Sequence, residues 1–159
     1  MTTSITGDTT VNQLPYDSNS ITGIHKRILV TKCANPGCHD GSFEPDFRSV
    51  QSSYSTMVYH KIIKNNAAED FEYRVVPGDT AMSVLYERIT NCCFVNPDDR
   101  MPQDNIGQKL PDSDIKAIAR WILDGAKDWN GQSPTKPSTK AQVLYFLAFN
   151  STFTQDYSQ

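Results

Sequence analysis

The chain has 159 residues, 38% of them hydrophobic, and a formal net charge of −3. This length is typical of a single domain that can bury a core. The chain contains no basic run of five or more residues, which argues against nucleic acid or an anionic membrane surface as a partner. It also contains no apolar stretch near the roughly 18 residues that a membrane-spanning helix needs.

Residues 1–19 are polar and lack the positive and apolar regions of a signal peptide. We predict a mobile leader here, of the kind that would follow a signal or lipoprotein tether. The residues that carry chemistry come after it. We predict that residues 20–129 form one domain.

Hydrophobic periodicity predicts an all-α fold of about four helices. The first apolar stripe begins at Ile21 and ends near Lys32, and Ser20 just before it is a suitable N-cap. Pro36 lies just beyond and is expected to prevent the helix from continuing. This helix therefore delivers the chain directly to Cys33.

Two further helices are predicted in the middle of the chain. Residues 49–65 have apolar side chains at helical spacing. Residues 81–89 repeat that pattern, and either Asp79 or Thr80 can cap the helix.

The last helix is predicted over residues 112–126, with Asp112 or Ser113 as its N-cap. Its apolar stripe consists of Ile115, Ile118, Ala119 and Ile122. Trp121 lies about a quarter turn from that stripe, and ordinary core packing is its favoured role over a place at the edge of a cofactor. We predict residues 130–159 to be a linker and C-terminal extension, which could open a second domain of a larger parent protein.

Residues 32–41, KCANPGCHDG, contain two cysteines five positions apart, followed at once by a histidine. Three interpretations are open: a disulfide ring in an exported protein, part of a zinc site, or a covalent haem attachment point. Haem c needs one thiol for each vinyl group and a histidine that reaches the iron, usually spelled C-x-x-C-H. Here four residues separate the cysteines, and Asn-Pro-Gly is suited to form a bulge. His39 directly after Cys38 favours haem, because a disulfide ring has no need of it.

The zinc interpretation needs two further ligands. Cys92 and Cys93 are adjacent, and neighbouring residues rarely bind one metal well. His25 or His60 could be recruited, but neither belongs to a recognisable ligand pair, and both are expected at helix surfaces or edges. If haem occupies the two motif cysteines, Cys92 and Cys93 could instead form a labile vicinal disulfide or remain free thiols.

A haem iron also needs a ligand on its second face, and a methionine there raises the reduction potential. Met57 and Met82 fall on predicted apolar helix faces, where core packing is the better interpretation. Met101 lies in the long polar loop of residues 90–111, where an apolar side chain is expected to point inward. Met101 is therefore the candidate ligand, with a simple anchor of the loop as the alternative role. His60 is the alternative, since histidine also binds haem iron.

Four sequence blocks occur in order: ILVTKCANPGCHDG, VVPGDTAMSVLYERI, RMPQ and LPDSDIKAIARWILDGA. Over residues 21–127 they resemble class I cytochrome c domains, of the monohaem kind often found in Planctomycetes and Bacteroidetes. The four blocks together are more specific than the cysteine motif alone. The chain departs from that pattern in its longer cysteine spacing, in Pro111 where Ser or Thr often caps the last helix, and in the extra cysteines of NCC.

The resemblance implies a cytochrome c-like bundle with long loops around one haem, in which the first and last helices cross. It implies thioether bonds from Cys33 and Cys38, with His39 as the proximal iron ligand and Met101 as the distal one. A carbonyl group normally orients the proximal histidine, and the carbonyl of Pro45 is the candidate.

The expected function is one-electron transfer by a single covalent haem c, with redox proteins as partners and no substrate transformed. The expected location is periplasmic or at the cell surface. Arg100 could pair with a haem propionate or remain solvated. Two other hypotheses stay open: an open iron site acting as a peroxidase or sensor, and a haem-free, disulfide-bonded binding module of a larger surface protein. The coordination of the iron tests the first, and the presence of haem tests the second.

Overall fold

The computed structural model describes residues 17–66, 68–90, 100–103 and 109–137. Apart from isolated bridges, these residues form helices and no β-strand, so the all-α prediction is confirmed for the part of the chain that is described. The four helices are α1 (Ile21–Ile24, continued by a π-helix over His25–Cys33), α2 (Val50–Met57), α3 (Val84–Thr90) and α4 (Asp112–Leu123). None of the described helices is long and apolar enough to cross a membrane.

The first helix starts where the sequence predicts and changes form after one turn. The predicted cap is confirmed, because Ser20 Oγ accepts a hydrogen bond from a main-chain N–H of the first turn at 3.2 Å. The turns then widen to the i→i−5 bonding of a π-helix, which closes with the Ala34 N–H donating to the Leu29 carbonyl at 2.9 Å. We call His25–Cys33 the π-segment. It delivers the chain directly to Cys33, as predicted.

Helix α2 is shorter than the predicted residues 49–65, because it ends at Met57. Val58 is extended and forms a parallel bridge with Val75, and Tyr59 has a positive φ of 50°. Pairing with a distant stretch of backbone therefore replaces the helix that the local pattern favours. Met57 is fully buried, so its predicted place in the core is confirmed.

Helix α3 begins later than the predicted residue 81. Asp79 Oδ1 accepts a hydrogen bond from the Met82 N–H at 3.0 Å and closes a separate turn, so that the helix starts only at Val84. Met82 lies on this turn with 42% of its surface exposed, and the prediction that it packs in the core is wrong.

Helix α4 carries the main apolar face of the domain. Its N-cap residue is Pro111, without a side-chain hydrogen bond, so the predicted capping by Asp112 or Ser113 is wrong. The apolar residues buried on it are Ala117, Ile118, Trp121 and Ile122. Compared with the predicted stripe, this face is rotated, because Ile115 and Ala119 are only half-buried. Trp121 packs in the core, as favoured, and its Nε1–H donates to the Lys127 carbonyl at 2.9 Å.

The core lies where α1 and the π-segment contact α4. Its largest fully buried apolar side chains are Ile21, Ile24, Ile28, Leu29, Met57, Val75, Ile118 and Ile122. At the edge of this contact the buried carboxylate of Asp114 pairs with both Arg27 and Lys32 of the π-segment. The expected contact between the first and last helices is therefore present, and an ionic link reinforces it.

The described part of the predicted C-terminal linker lies close to the domain. Just before it, Trp129, the last residue of the predicted domain, packs edge-on against Tyr54, with ring centres 5.8 Å apart. Lys136 Nζ lies 5.9 Å from the ring centre of Tyr73. Residues 1–16 and 138–159, which make up most of the predicted leader and extension, lie outside the described residues.

Candidate functional site

The predicted site begins at the end of the π-segment. After Cys33 the chain makes a tight turn, in which the Cys38 N–H donates to the Asn35 carbonyl at 2.9 Å and Gly37 adopts a φ of 78°. The His39 N–H then returns to the Cys33 carbonyl at 3.3 Å. The four residues between the cysteines therefore fold as a compact bulge that brings His39 back beside Cys33.

The imidazole of His39 is oriented by a main-chain carbonyl. Its Nδ1 lies 2.9 Å from the carbonyl oxygen of Pro45, the acceptor that the family resemblance implies. Because a carbonyl only accepts hydrogen bonds, Nδ1 carries the proton and Nε2 keeps its lone pair. The ring also packs on Phe47, with ring centres 4.9 Å apart.

The protonation state of His39 also suits a metal ligand. Burial lowers the pKa of His39, the hydrogen bond to the Pro45 carbonyl partly opposes this, and the charge of Arg74 lowers the pKa further. The imidazole is therefore neutral at pH 7, the form in which histidine binds metals.

The two motif cysteines differ in exposure. Both thiols are free, with Cys33 half-buried and Cys38 exposed. Burial raises the pKa of Cys33 to about 12, against which the charge of Lys32 has a smaller effect. Cys33 is therefore a protonated thiol at neutral pH, and it reacts slowly in thiol–disulfide exchange, which requires a thiolate.

A cavity of about 500 Å³ lies next to this turn, and it is lined by Cys33, Cys38, His39 and Met101. Its volume falls within the range of small-molecule and cofactor sites. Much of its wall is apolar, with side chains from the π-segment, α3, α4 and the loops between them. The apolar side chains of the wall include Ile28, Leu29, Phe47, Val84, Leu85, Ile89, Leu110 and Ile118. The fold therefore brings together the four residues predicted as haem ligands and attachment points.

Met101 reaches the cavity from the far end of α3. Its N–H donates to the Arg88 carbonyl at 2.7 Å, and its side chain is half-buried. His60, the alternative ligand, is not among the described residues that line the cavity. Its Nδ1 lies 3.1 Å from the Lys61 carbonyl and its Nε2 lies 3.8 Å from Glu44. The placement thus favours Met101 over His60.

Cationic side chains line part of the cavity wall. Arg74 is buried, and its guanidinium donates to the Thr56 carbonyl at 2.7 Å and to Glu44 at 2.8 Å. Arg88 also lines the cavity, whereas Arg100, for which pairing with a propionate and solvation were both left open, is not among its described lining residues. Arg74 was not predicted from the sequence, although a cation between Tyr73 and Val75 was a signal of a special role.

One residue is placed differently from its prediction, and two others lie outside the described residues. His25 was expected at a surface and is instead buried, with Nε2 lying 3.0 Å from the Phe47 carbonyl. Cys92 and Cys93, the possible disulfide pair, lie outside the described residues. Within the described part of the chain, no three His, Cys, Asp or Glu side chains come together as metal ligands. The zinc hypothesis thus has no supporting cluster there.

Comparisons of the chain with protein-family models, with curated proteins and with solved structures found no match. The residues at the cavity fit a covalently held haem. They supply two free thiols, a neutral imidazole with an available Nε2, a thioether and a largely apolar wall.

Proposed function

We propose that the chain is a monohaem c-type cytochrome domain that carries single electrons between protein partners. The observation that supports this most strongly is the convergence of Cys33, Cys38, His39 and Met101 on one cavity, with the His39 ring already oriented by Pro45. Any one of these residues has an ordinary structural explanation. Together they form the complete residue set for covalent attachment and two axial ligands.

Each of the four residues has a separate role in this proposal. Cys33 and Cys38 would each add across one vinyl group, with the sulfur bonding to one carbon and the hydrogen going to the other, so that no oxidant is required. His39 Nε2 would bind the iron on one side, because Nδ1 is committed to the Pro45 carbonyl. Met101 would supply a thioether on the other side.

Haem c, when bound, supplies an iron that changes between the ferric and ferrous states and so holds or releases one electron. The apolar wall, including Ile28, Leu29 and Ile118, limits the access of water. Burial of this kind and a thioether ligand both favour the less charged ferrous state and so raise the reduction potential. The chain needs no acid–base pair for this function, since no bond of a substrate is broken.

Contact with partners is expected at the rim of the cavity. Cys38 is exposed there, and Phe43 and Ile63 line the cavity with 66% and 83% of their surfaces accessible. A small contact around such a rim is typical of brief redox encounters. An exported location follows from this proposal, because haem attachment and partner exchange would take place outside the cytoplasm.

The test is a visible absorption spectrum of the full chain, produced together with a haem-attachment system and exported. The spectrum is recorded before and after extraction with acid and acetone. We expect haem that resists extraction and a low-spin, six-coordinate spectrum. A Cys33→Ser/Cys38→Ser variant is the matched control and should lose the covalent haem.

Other outcomes would favour the other hypotheses. Covalent haem with a high-spin, five-coordinate spectrum would indicate an open site and favour a peroxidase or sensor. A folded, exported chain that contains no haem under these conditions would contradict the proposal and leave the disulfide-bonded binding module.

A further inference from the structure

His25 is a buried polar side chain that the proposed function does not use. It opens the π-segment, and only 7% of its surface is exposed. Its Nε2 lies 3.0 Å from the Phe47 carbonyl, which can only accept, so Nε2 carries the proton and donates it. Nδ1 is buried without a hydrogen-bond partner among the described residues. An apolar side chain would avoid the cost of that unpaired nitrogen, which indicates that the bond to Phe47 has a role.

Phe47 is the residue through which His25 acts on the site. The Phe47 N–H donates to the His39 carbonyl at 2.8 Å, and the rings of the two residues lie 4.9 Å apart and tilted by 52°. Phe47 is itself buried, with 3% of its surface exposed. The position of Phe47 therefore constrains both the backbone and the ring of His39.

Pro45, two residues before Phe47, supplies the carbonyl that holds His39 Nδ1 at 2.9 Å. Two other side chains bind this part of the loop. Thr56 Oγ1 accepts from the Asp46 N–H at 3.0 Å, and Arg74 donates to Glu44. Neither bond involves Phe47 or the imidazole. The hydrogen bond from His25 connects the π-segment to Phe47, the residue packed on His39.

We propose that His25 is a positioning residue for His39. By holding the Phe47 carbonyl, it keeps the segment 45–47 against the imidazole and so maintains the tautomer with the proton on Nδ1. In the haem-bound protein, the same bond would keep His39 Nε2 directed toward the iron. This part of the role rests on the proposed function.

The first test uses the full chain without haem, under reducing conditions at pH 8. Long-range ¹H–¹⁵N spectra report which ring nitrogen of His39 is protonated. The wild type should show a protonated Nδ1 and an unprotonated Nε2 as separate signals. His25→Gln should keep them, because its side-chain amide can reach the position of Nε2. His25→Leu and His25→Asn should lose this separation and show an averaged pair, since Asn is too short to place a donor there.

The matched control is Ile122→Val, which removes a methylene from the core at a site that is outside the cavity wall. It lowers stability and should leave the His39 signals unchanged. Unchanged His39 signals in a folded His25→Leu variant would overturn the proposal. If that variant does not fold, the Gln and Asn variants decide, because identical His39 tautomers in those two would also overturn it.

The second test uses the haem-loaded protein. We expect a loss of the low-spin fraction in His25→Leu and its recovery in His25→Gln. If no variant, including the wild type, takes up haem, the proposed function fails. The tautomer measurement on the haem-free chain still decides whether His25 positions His39, so that the two failures are distinguishable.

Discussion

The two sides of the cavity present their proposed iron ligands in different ways. On the proximal side, residues 33–47, a hydrogen bond from the imidazole to Pro45 orients the ring of His39 directly. In the distal segment, residues 100–103, the Met101 N–H is bonded to Arg88, which holds the backbone and not the sulfur. A thioether is a weak hydrogen-bond acceptor on a flexible side chain, so packing against neighbouring side chains must orient it. The imidazole of His39 is therefore already oriented in the haem-free chain, whereas the side chain of Met101 retains more freedom.

The largest effects are expected when each of the two proposed iron ligands is removed in turn. The loss of a residue that merely supports a metal ligand typically costs ~10–100-fold in metal affinity or activity. We expect His39→Ala to reduce the yield of covalent holoprotein by more than this. Met101→Ala should still accumulate covalent haem but lose the low-spin spectrum. Haem staining of denaturing gels and visible spectra measure both, and His60→Ala is the control expected to resemble the wild type. An unchanged spectrum in Met101→Ala would place the distal ligand elsewhere.

A second expected effect is a difference in reactivity between the two thiols of the proximal side, Cys33 and Cys38. Because burial raises the pKa of Cys33 from an ordinary 9.0 to about 12, its thiolate fraction at pH 8 should fall by about 10³. In the haem-free chain we expect iodoacetamide to label the exposed Cys38 first, and Cys33 roughly 10³ times more slowly than after unfolding. Peptide mapping by mass spectrometry on a time course measures this. Equal labelling rates for the two cysteines would show that Cys33 is accessible and not protected.

The ionic link behind the proximal side should contribute to global stability. Asp114 is buried and pairs with Arg27 and Lys32, so Asp114→Asn leaves two cations without their partner at the helix contact. We expect a loss of about 1–3 kcal/mol in the free energy of unfolding, measured in urea on the haem-free chain. The control is Asp124→Asn, whose pair with Arg120 is exposed on both sides and should change stability by less than about 0.5 kcal/mol. Equal losses in the two variants would contradict the structural role of the buried pair.

The smallest expected effect concerns pH and the pair of Glu44 with Arg74. The hydrogen bond from Arg74, followed by the charges of Arg74 and His60, lowers the pKa of Glu44. Since the folded pKa lies below the ordinary value of 4.5, this pair stabilises the fold above that value and loses its effect as the pH falls through the folded pKa. The difference in unfolding free energy between wild type and Glu44→Gln should be under about 1 kcal/mol at pH 7 and should shrink at acidic pH. A difference that grows on acidification would contradict this sign.

The helices illustrate how far local patterns reach. Ser20 could be assigned as a cap because that bond depends only on residues within one turn. The end of α2 could not, because Val58 leaves the helix to pair with Val75, a residue distant in the sequence. The same limit explains Met82, whose helical spacing suggested burial although Asp79 holds it on an exposed turn.

The residues of the site divide in the same way, into those that local sequence indicates and those that depend on distant contacts. The order of Cys33, Cys38 and His39 is visible in the sequence, and the family resemblance pointed to Met101 and to Pro45. His25 falls at the helical spacing of the first apolar stripe, but its hydrogen bond to a carbonyl 22 residues away was not predictable. Arg74 likewise became recognisable as part of the cavity wall only once the chain had folded around it.

By itself, the sequence determined the features that act over a few residues: the helical segments, the bulge between the cysteines and the histidine that follows it. Tertiary structure alone decided which faces are buried, where the helices stop and which distant groups orient His39. The physical reason is that propensities and turn residues act between near neighbours. Burial and hydrogen bonding to a distant carbonyl depend instead on how separate segments pack.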